Sequence, residues 1–136
     1  MKKLKIVIVE NDEDERQFMK KGFDETPYFQ LLAQPQNGDH LFSWLRANTG
    51  NLPDIILSDL NMPGKNGMDI IQEIKTEKQF AHIPVIITST SSTPSIINKC
   101  MNEGAAGYVV KPEVFIDYGP YAAKLREMID EKKLLG

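Results

Sequence analysis

Short runs of aliphatic and β-branched residues alternate along this chain with longer stretches of helical periodicity, an order that few folds accommodate. Strands separated by helices pair in parallel, and the helices then cover both faces of the sheet through right-handed crossovers. The predicted strands are Leu4–Val9, Phe29–Ala33, Asp54–Ser58, Val85–Thr88 and Gly107–Val110, and the predicted helices are Glu13–Asp24, Gly38–Ala47, Met68–Glu77, Pro94–Asn102 and Tyr121–Leu134. The pattern therefore predicts an α/β fold, a doubly wound (βα)5 unit with a five-stranded parallel sheet.

The length of the chain and the absence of a linker indicate one domain. The chain has 136 residues, enough to bury a core without disulfides or metals. No repeat, low-complexity segment or linker interrupts it, and only 25 residues follow Lys111, which suffices for one helix. We therefore expect a single domain over residues 1–136 with no attached output domain.

Composition and charge exclude several classes of protein. The formal net charge is −3 and no lysine or arginine block is long enough to follow a phosphate backbone, so direct binding of nucleic acid is not expected. The one cysteine, Cys100, is expected to be a packed side chain in a reducing compartment. The start of the chain predicts a strand rather than a signal peptide, and no segment has the roughly 20 apolar residues of a membrane span. We expect a cytoplasmic protein without membrane insertion.

Polar residues stand at the carboxyl ends of four predicted strands. The segment Glu10–Asp12 follows the first strand, Asp59 the third, Ser89 the fourth and Lys111 the fifth. In open parallel sheets, ligands bind beyond the carboxyl ends of the strands, where the loops converge on a crevice. With the flavodoxin-like strand order 2-1-3-4-5, these side chains meet in one pocket around Asp59.

The chemistry of these side chains points to a cation and a phosphoryl group. Two carboxylates close together repel and hold a proton or a cation between them. Oxygen ligands select a hard divalent ion, and a few protein oxygens completed by water suit Mg²⁺. His40 and His82 are far apart in sequence and flank different elements, so no zinc site is expected. A bound Mg²⁺, a lysine ammonium and a hydroxyl around one aspartate together form a clamp for a phosphoryl group transferred to that carboxylate.

Several motifs follow one another in a specific order. They are the run Ile6–Glu10 before an acidic cluster, the pair Asn37-Gly38, the segment Pro53–Pro63 with Gly67, the run Ile83–Ser89, the segment Gly104–Tyr108 and the pair Lys111-Pro112. In this order they resemble the receiver domain of two-component response regulators, particularly the single-domain, chemotaxis-regulator-like kind. The resemblance covers nearly the whole chain. It implies a phosphoacceptor switch that assists its own phosphorylation and dephosphorylation rather than an enzyme.

The resemblance implies a role for each strand-end residue. Asp59 would accept a phosphoryl group from a histidine kinase or a phosphotransfer protein. Glu10 would hold Mg²⁺ directly or through water, together with Asp59 and the backbone carbonyl of Asn61. Lys111 would pair first with the Asp59 carboxylate and then with the phosphoryl group, while the hydroxyl of Ser89 would turn toward the phosphoryl oxygens.

Further features are implied for signalling. Tyr108 would be the switch aromatic, which changes rotamer together with the loop that carries Ser89, and the Lys111–Pro112 peptide bond would be cis. Phosphorylation would bias a two-state equilibrium at the surface formed by the fourth helix, the fifth strand and the fifth helix. The output would be binding to an unknown downstream protein.

Asn11 departs from the family pattern, which has a second acid and stronger magnesium ligand at this position. An amide oxygen can still coordinate the ion, but it carries no charge, so weaker Mg²⁺ binding is expected. Asp12 either shifts into the site as a replacement or caps the first helix, where Asp12 and Glu15 have the spacing of a capping box. A chain of this kind could instead be a receiver-like interaction module with weakened or lost phosphorylation.

The fold alone also allows a flavodoxin-like cofactor enzyme. Acids follow the first strand, however, where a flavin phosphate would need hydroxyls, glycines and backbone amides, so this alternative is disfavoured. The expected function is Mg²⁺-dependent phosphoryl acceptance on Asp59.

Overall fold

The residues described in a computed structural model of the chain, 2–113 and 118–135, form a parallel sheet with helices on both faces. The strands are β1 (Leu4–Val9), β2 (Phe29–Ala33), β3 (Ile55–Asp59), β4 (Val85–Ser89) and β5 (Gly107–Val110), and the helices are α1 (Glu13–Asp24), α2 (Gly38–Ala47), α3 (Gly67–Ile74), α4 (Pro94–Glu103) and α5 (Tyr118–Glu131). The sheet order is β2-β1-β3-β4-β5, so the predicted doubly wound fold and its order 2-1-3-4-5 are confirmed. No helix within the two described ranges has the length and apolar composition needed to cross a membrane.

Alternate residues of the central strands point to opposite faces of the sheet, and both faces are apolar. Along β1, Ile6 and Ile8 pack with side chains of α1 and α5, whereas Val7 and Val9 pack with those of α2, α3 and α4. All four are fully buried. Cys100 is buried in the layer of α2, α3 and α4, as predicted for a packed side chain. The sheet therefore lies between a two-helix layer and a three-helix layer.

The two-helix layer is rich in aromatic side chains. Phe23 of α1 lies against Phe29 and Tyr121, with ring centroids 5.4 and 6.2 Å apart, and Tyr118 meets Tyr121 edge to face at 5.2 Å. Helix α1 comes so close to α5 that a Cβ atom added at Gly22 would lie 2.5 Å from the Cβ atom of Tyr118. The close packing of α1 against α5 therefore depends on the absence of a side chain at residue 22.

Strand ends and the start of α5 differ from their predicted bounds. Strand β3 begins and ends one residue later than predicted, and β4 extends one residue further, so Asp59 and Ser89 are the last residues of their strands. Helix α5 begins at Tyr118 rather than at Tyr121. Pro120 lies in its first turn, where a missing backbone amide is tolerated, so this proline does not exclude an earlier start.

Helix α3 ends at Ile74, three residues before the predicted Glu77. The hydroxyl of Thr76 donates to the Glu73 carbonyl at 2.7 Å, and the amides of Thr76 and Glu77 bond to carbonyls three residues back. Such tight i→i+3 turns are typical of helix ends. Helix α4 runs one residue further than predicted and stops at Gly104, whose φ of 111° is the expected left-handed C-cap.

We expect Gly22→Ala to lower the free energy of unfolding by about 1–3 kcal/mol, because overpacking strains a close-packed contact. The added methyl group would lie 2.5 Å from the Cβ atom and 2.6 Å from the carbonyl carbon of Tyr118. The matched control is Gly119→Ala in α5, where an added Cβ atom would meet no atom of another described part of the chain within 4 Å, and better helix propensity should leave stability unchanged or raised. Urea denaturation measures both variants. A Gly22→Ala protein as stable as the control would contradict the close approach.

Candidate functional site

Strand-end side chains converge beyond the carboxyl ends of the sheet, where those of Glu10, Asp59 and Lys111 meet and Ser89 ends the neighbouring strand. Glu10, Asp59 and Ser89 are 2%, 8% and 2% exposed, and the Lys111 side chain is 7% exposed. The Lys111 ammonium lies 2.8 Å from Glu10 Oε1 and 3.2 Å from Asp59 Oδ1. The parallel pairing of β1 with β3 and of β3 with β4 aligns these strand ends. A buried lysine therefore joins two carboxylates that come from different strands.

A third carboxylate, that of Glu15, completes the cluster. Glu15 is 4% exposed in the first turn of α1, and its Oε2 lies 2.5 Å from the Lys111 ammonium. The sequence analysis missed this role and assigned Glu15 to a capping box with Asp12. Only half of that box forms, because Asp12 Oδ1 accepts from the Glu15 amide at 2.9 Å while the Asp12 amide donates to Glu10. The signal for its role was a glutamate on the buried face of an amphipathic helix, beside the strand ends.

Burial and mutual repulsion shift the proton affinities in this cluster. Burial raises the pKa of Asp59, although the charge of Lys111 opposes that effect. Burial and a hydrogen bond shared with Glu10 raise the pKa of Glu15 to about 7. Burial alone would raise the pKa of Glu10, but hydrogen bonds with Glu15 and Lys111 outweigh it and lower the pKa. Burial alone would lower the pKa of Lys111, but its bonds to Glu10 and Glu15 raise it strongly. One ammonium thus faces three carboxylates, which leaves excess negative charge in a buried site.

The donors of the site fit a hard divalent cation. The carboxylates of Glu10 and Asp59 and the carbonyl of Asn61 are all oxygen donors, and the excess of negative charge favours a cation. Asn61 is exposed just beyond β3, and its backbone amide donates a hydrogen bond to the Asp59 carboxylate. Among the described residues, no group of three or more histidine, cysteine, aspartate or glutamate side chains is arranged to hold a metal. The cluster offers oxygen donors of the kind that a hard divalent ion takes, with the Lys111 ammonium among its acids.

Asn11 and Asp12 lie outside the carboxylate cluster. Both residues are exposed, and the Asp12 side chain is the N-cap of α1. Arg16 Nη1 donates to the carbonyls of Glu10 and Asn11 at 2.9 and 2.8 Å, which holds this turn against α1. Of the two expectations for Asp12, the structure therefore has the helix cap.

Ser89 and Tyr108 meet at the same loop residue. Ser89 Oγ accepts from the Ser91 amide at 3.2 Å, and the half-buried Tyr108 donates its hydroxyl to the Ser91 carbonyl at 2.7 Å. The Lys111 amide donates to the Ser89 carbonyl at 2.8 Å. No peptide bond among residues 2–113 and 118–135 is cis, so the expected cis bond before Pro112 is wrong for this structure.

Thr88, which the sequence analysis did not single out, links the neighbouring strands and α5. Its buried hydroxyl donates to the Val109 carbonyl at 2.7 Å and accepts from the Tyr121 hydroxyl at 2.6 Å. A threonine within a β-branched strand carries no sequence signal for such a role. These two hydrogen bonds connect Thr88, the residue before Ser89, to β5 and to the buried side of α5.

Comparison with known proteins returns consistent matches. The model of the response regulator receiver domain family matches residues 6–117. The rice two-component response regulator ORR12 is 39% identical over 64 residues, which cover 47% of this chain and 53% of that protein. The rice two-component response regulator-like PRR73 is 30% identical over 112 residues, which cover 82% of this chain but 14% of that protein. The match thus spans about half or less of the length of these curated relatives.

Solved structures with the same fold include three response regulators. The phosphorylated cyanobacterial phytochrome response regulator RcpA has a TM-score of 0.78 and 24% identity, and the match covers 93% of this chain and 94% of that chain. The Mn²⁺-bound form of Rcp1 has a TM-score of 0.71 and 21% identity, covering 97% and 95%. The chemotaxis response regulator CheY4 of Vibrio cholerae has a TM-score of 0.75 and 20% identity, covering 94% and 99%. At these identities the likeness establishes the fold.

We expect Glu15→Gln to change how stability depends on pH in metal-free buffer. Because the folded state raises the pKa of Glu15 from 4.5 to about 7, the folded protein binds this proton more tightly than the unfolded chain, and stability falls as pH rises through that window. Glutamine stays neutral and lacks this loss. The free energy of unfolding of wild type relative to Glu15→Gln should therefore decrease from pH 4.5 to 7.

The control is Glu13→Gln, which removes one negative charge from the same helical turn at an exposed position. Urea denaturation over a pH series measures all three proteins. A relative stability of Glu15→Gln that is flat with pH, or that matches Glu13→Gln, would contradict the burial of a titrating Glu15.

Proposed function

The chain belongs to the response regulator receiver domain family, and from this premise we propose that Asp59 accepts a phosphoryl group from a histidine kinase or a phosphotransfer protein. The family and the fold expected from the sequence are both confirmed, and the family match is consistent with phosphorelay signalling. The observation that best supports Asp59 as the acceptor is its place in the cluster. It is a carboxylate at the end of a central strand, 3.2 Å from a buried lysine ammonium.

The transfer itself needs a nucleophile and charge compensation. An Asp59 carboxylate oxygen would form a bond to phosphorus while the bond from phosphorus to the donor's imidazole nitrogen breaks, and the electron pair of that bond stays on the imidazole. The Lys111 ammonium pairs with the carboxylate before the reaction and with the phosphoryl oxygens after it. Burial of both side chains strengthens this pairing because little water screens it.

Mg²⁺ is the proposed cofactor. Receiver domains of this family bind the ion, and the solved Rcp1 structure is described as a Mn²⁺-bound form. In this chain Glu10, Asp59 and the backbone carbonyl of Asn61 would hold it. When bound, Mg²⁺ neutralises charge on the phosphoryl oxygens. Asn11 would contribute at most an uncharged oxygen, and Asp12 remains the cap of α1.

The proposed output is a change in protein binding. Ser89 and Tyr108 both bond to Ser91, so a Ser89 hydroxyl that turned toward a phosphoryl oxygen would give up its bond to the Ser91 amide and disturb the Tyr108 contact. The surface of α4, β5 and α5 would then bind a downstream protein. We propose that this output needs no direct contact to nucleic acid and takes place in the cytoplasm, as expected from the sequence.

An interaction module with weakened or lost phosphorylation is the second candidate. Its support is the exposed, uncharged side chain of Asn11 where the family has an acid. A flavodoxin-like cofactor enzyme is not favoured, because the family match is to receiver domains. Phosphorylation of the wild type at saturating Mg²⁺ separates the first two candidates.

We expect Asp59→Asn to abolish phosphorylation, because an amide is a far poorer nucleophile than a carboxylate. Wild type, incubated with Mg²⁺ and acetyl phosphate, should gain one phosphoryl group by intact mass, and the variant none. The matched control is Asp14→Asn, an exposed aspartate at the same end of the molecule, which should behave as wild type. An undiminished gain of phosphate in Asp59→Asn would refute the assignment.

We expect Asn11→Asp to tighten Mg²⁺ binding by about tenfold, because a charge a few ångströms from an exposed ion contributes on the order of 1–2 kcal/mol. Isothermal titration with Mg²⁺ measures the affinity. The comparison variant is Asp12→Asn, which keeps a capping oxygen for α1 and should leave Mg²⁺ affinity nearly unchanged. If Asp12→Asn lowers the Mg²⁺ affinity and Asn11→Asp does not raise it, Asp12 rather than residue 11 supplies the ligand.

A further inference from the structure

The Tyr118 hydroxyl has no hydrogen-bond partner within the described part of the chain, although the residue is fully buried. A buried hydroxyl without a partner costs folding free energy, and native structures satisfy the large majority of such groups. Tyr121, one turn later in α5, has the usual arrangement, since its hydroxyl donates to Thr88 Oγ1. The unpaired hydroxyl of Tyr118 therefore calls for an explanation.

Tyr118 lies beside the carboxylate cluster. Its Cβ atom meets α1 at Gly22, which is two helical turns, about 10 Å, from Glu15 on the same buried face of α1. A tyrosine and a glutamate side chain together are long enough to meet across that distance. Burial, followed by the charges of Glu15, Glu10 and Asp59 in decreasing order, raises the pKa of the hydroxyl strongly. The charges of these acids therefore act on the hydroxyl, and that of Glu15 acts on it most.

Glu15 depends on Lys111 in the unphosphorylated state. The Lys111 ammonium donates hydrogen bonds to Glu10 and Glu15 and lies within ion-pair distance of Asp59. The ammonium lies closer to Glu15, at 2.5 Å, than to Asp59, at 3.2 Å. If the ammonium moves toward the oxygens of a phosphoryl group on Asp59, its hydrogen bond to Glu15 is therefore stretched. A buried carboxylate that loses its partner is costly, so this step needs a replacement donor.

We propose that the Tyr118 hydroxyl donates a hydrogen bond to Glu15 when Lys111 engages the phosphoryl group, so that Glu15 and Tyr118 are positioning residues for the lysine. This inference rests on the proposed phosphorylation of Asp59. The same hydroxyl that is unpaired before transfer gains its partner after it, which lowers the cost of moving the lysine. Because Tyr118 is the first residue of α5, the exchange also links the site directly to that helix.

The test is Tyr118→Phe, which removes the hydroxyl and keeps the ring. Without phosphoryl chemistry, the variant should unfold at an equal or higher temperature than wild type, because no bond is lost. Its affinity for beryllium fluoride with Mg²⁺, a stable mimic of the phosphoryl group, should fall about tenfold, since a hydrogen bond to a buried charge is lost. Differential scanning calorimetry and isothermal titration measure the two quantities.

The matched control is Tyr28→Phe, a half-buried tyrosine packed on the same layer at the opposite ends of the strands. It should bind beryllium fluoride as wild type does. In a Glu15→Gln background, Tyr118→Phe should have little further effect, because the charge that needs the donor is gone. A merely structural role of the ring or hydroxyl would not depend on residue 15 in this way.

The outcomes separate two failures. Beryllium fluoride binding by Tyr118→Phe equal to wild type, an equal loss in the Glu15→Gln background, or a lower unfolding temperature of the unphosphorylated variant would each overturn this inference and leave phosphorylation of Asp59 standing. A wild type that binds no beryllium fluoride and gains no phosphate would overturn the proposed function, and this inference with it.

Discussion

The Lys111 ammonium, held among three buried carboxylates, is the interaction on which the site depends. Lys111 and Glu10 are 101 residues apart in sequence, and the other two acids come from α1 and β3. Only the order that places β1 and β3 at the centre of the sheet brings these groups within a few ångströms. Taking a lysine and three acidic side chains out of water is expensive, so the surrounding fold has to be stable enough to hold them. The apolar faces of the sheet supply that stability.

The two helix layers make different contributions to the site. The three-helix layer holds the loop after β3, which carries Asn61 and begins where Asp59 ends its strand. The layer of α1 and α5 supplies Glu15 and the unpaired hydroxyl of Tyr118, and its tight packing at Gly22 fixes the distance between the two helices. The site is thus bounded by a solvent-facing loop on one side and by rigid aromatic packing on the other. A movement of Lys111 therefore affects the contacts of α5 as well as those of the solvent-facing loop.

Local sequence signals predict most of the fold and the strand-end residues of the site. The bounds of α1 and β1 follow from periodicity and a capping aspartate, and Asp59, Ser89 and Lys111 follow from strands that stop at polar residues. The start of α5 was predicted three residues too late, at Tyr121; Pro120 just before it is as compatible with a first turn as with a break. Glu15 was missed for a different reason. Its spacing from Asp12 already accounts for a glutamate through a capping box, and only the tertiary structure shows that the carboxylate turns to Lys111.

Glu15 also changes what the missing acid at Asn11 means. The site still contains three carboxylates, so the uncharged Asn11 does not leave it short of negative charge. The charge is distributed differently, however, because Glu15 is buried on the α1 side of the lysine whereas Asn11 is exposed. An acid at position 11 would act mainly on a bound ion, whereas Glu15 acts mainly on Lys111 and draws it away from Asp59. How readily this chain is phosphorylated therefore depends on how readily Lys111 breaks its hydrogen bond to Glu15. The Tyr118 hydroxyl, as a hydrogen-bond donor to the Glu15 carboxylate, therefore affects phosphorylation as much as the ligands of the ion do.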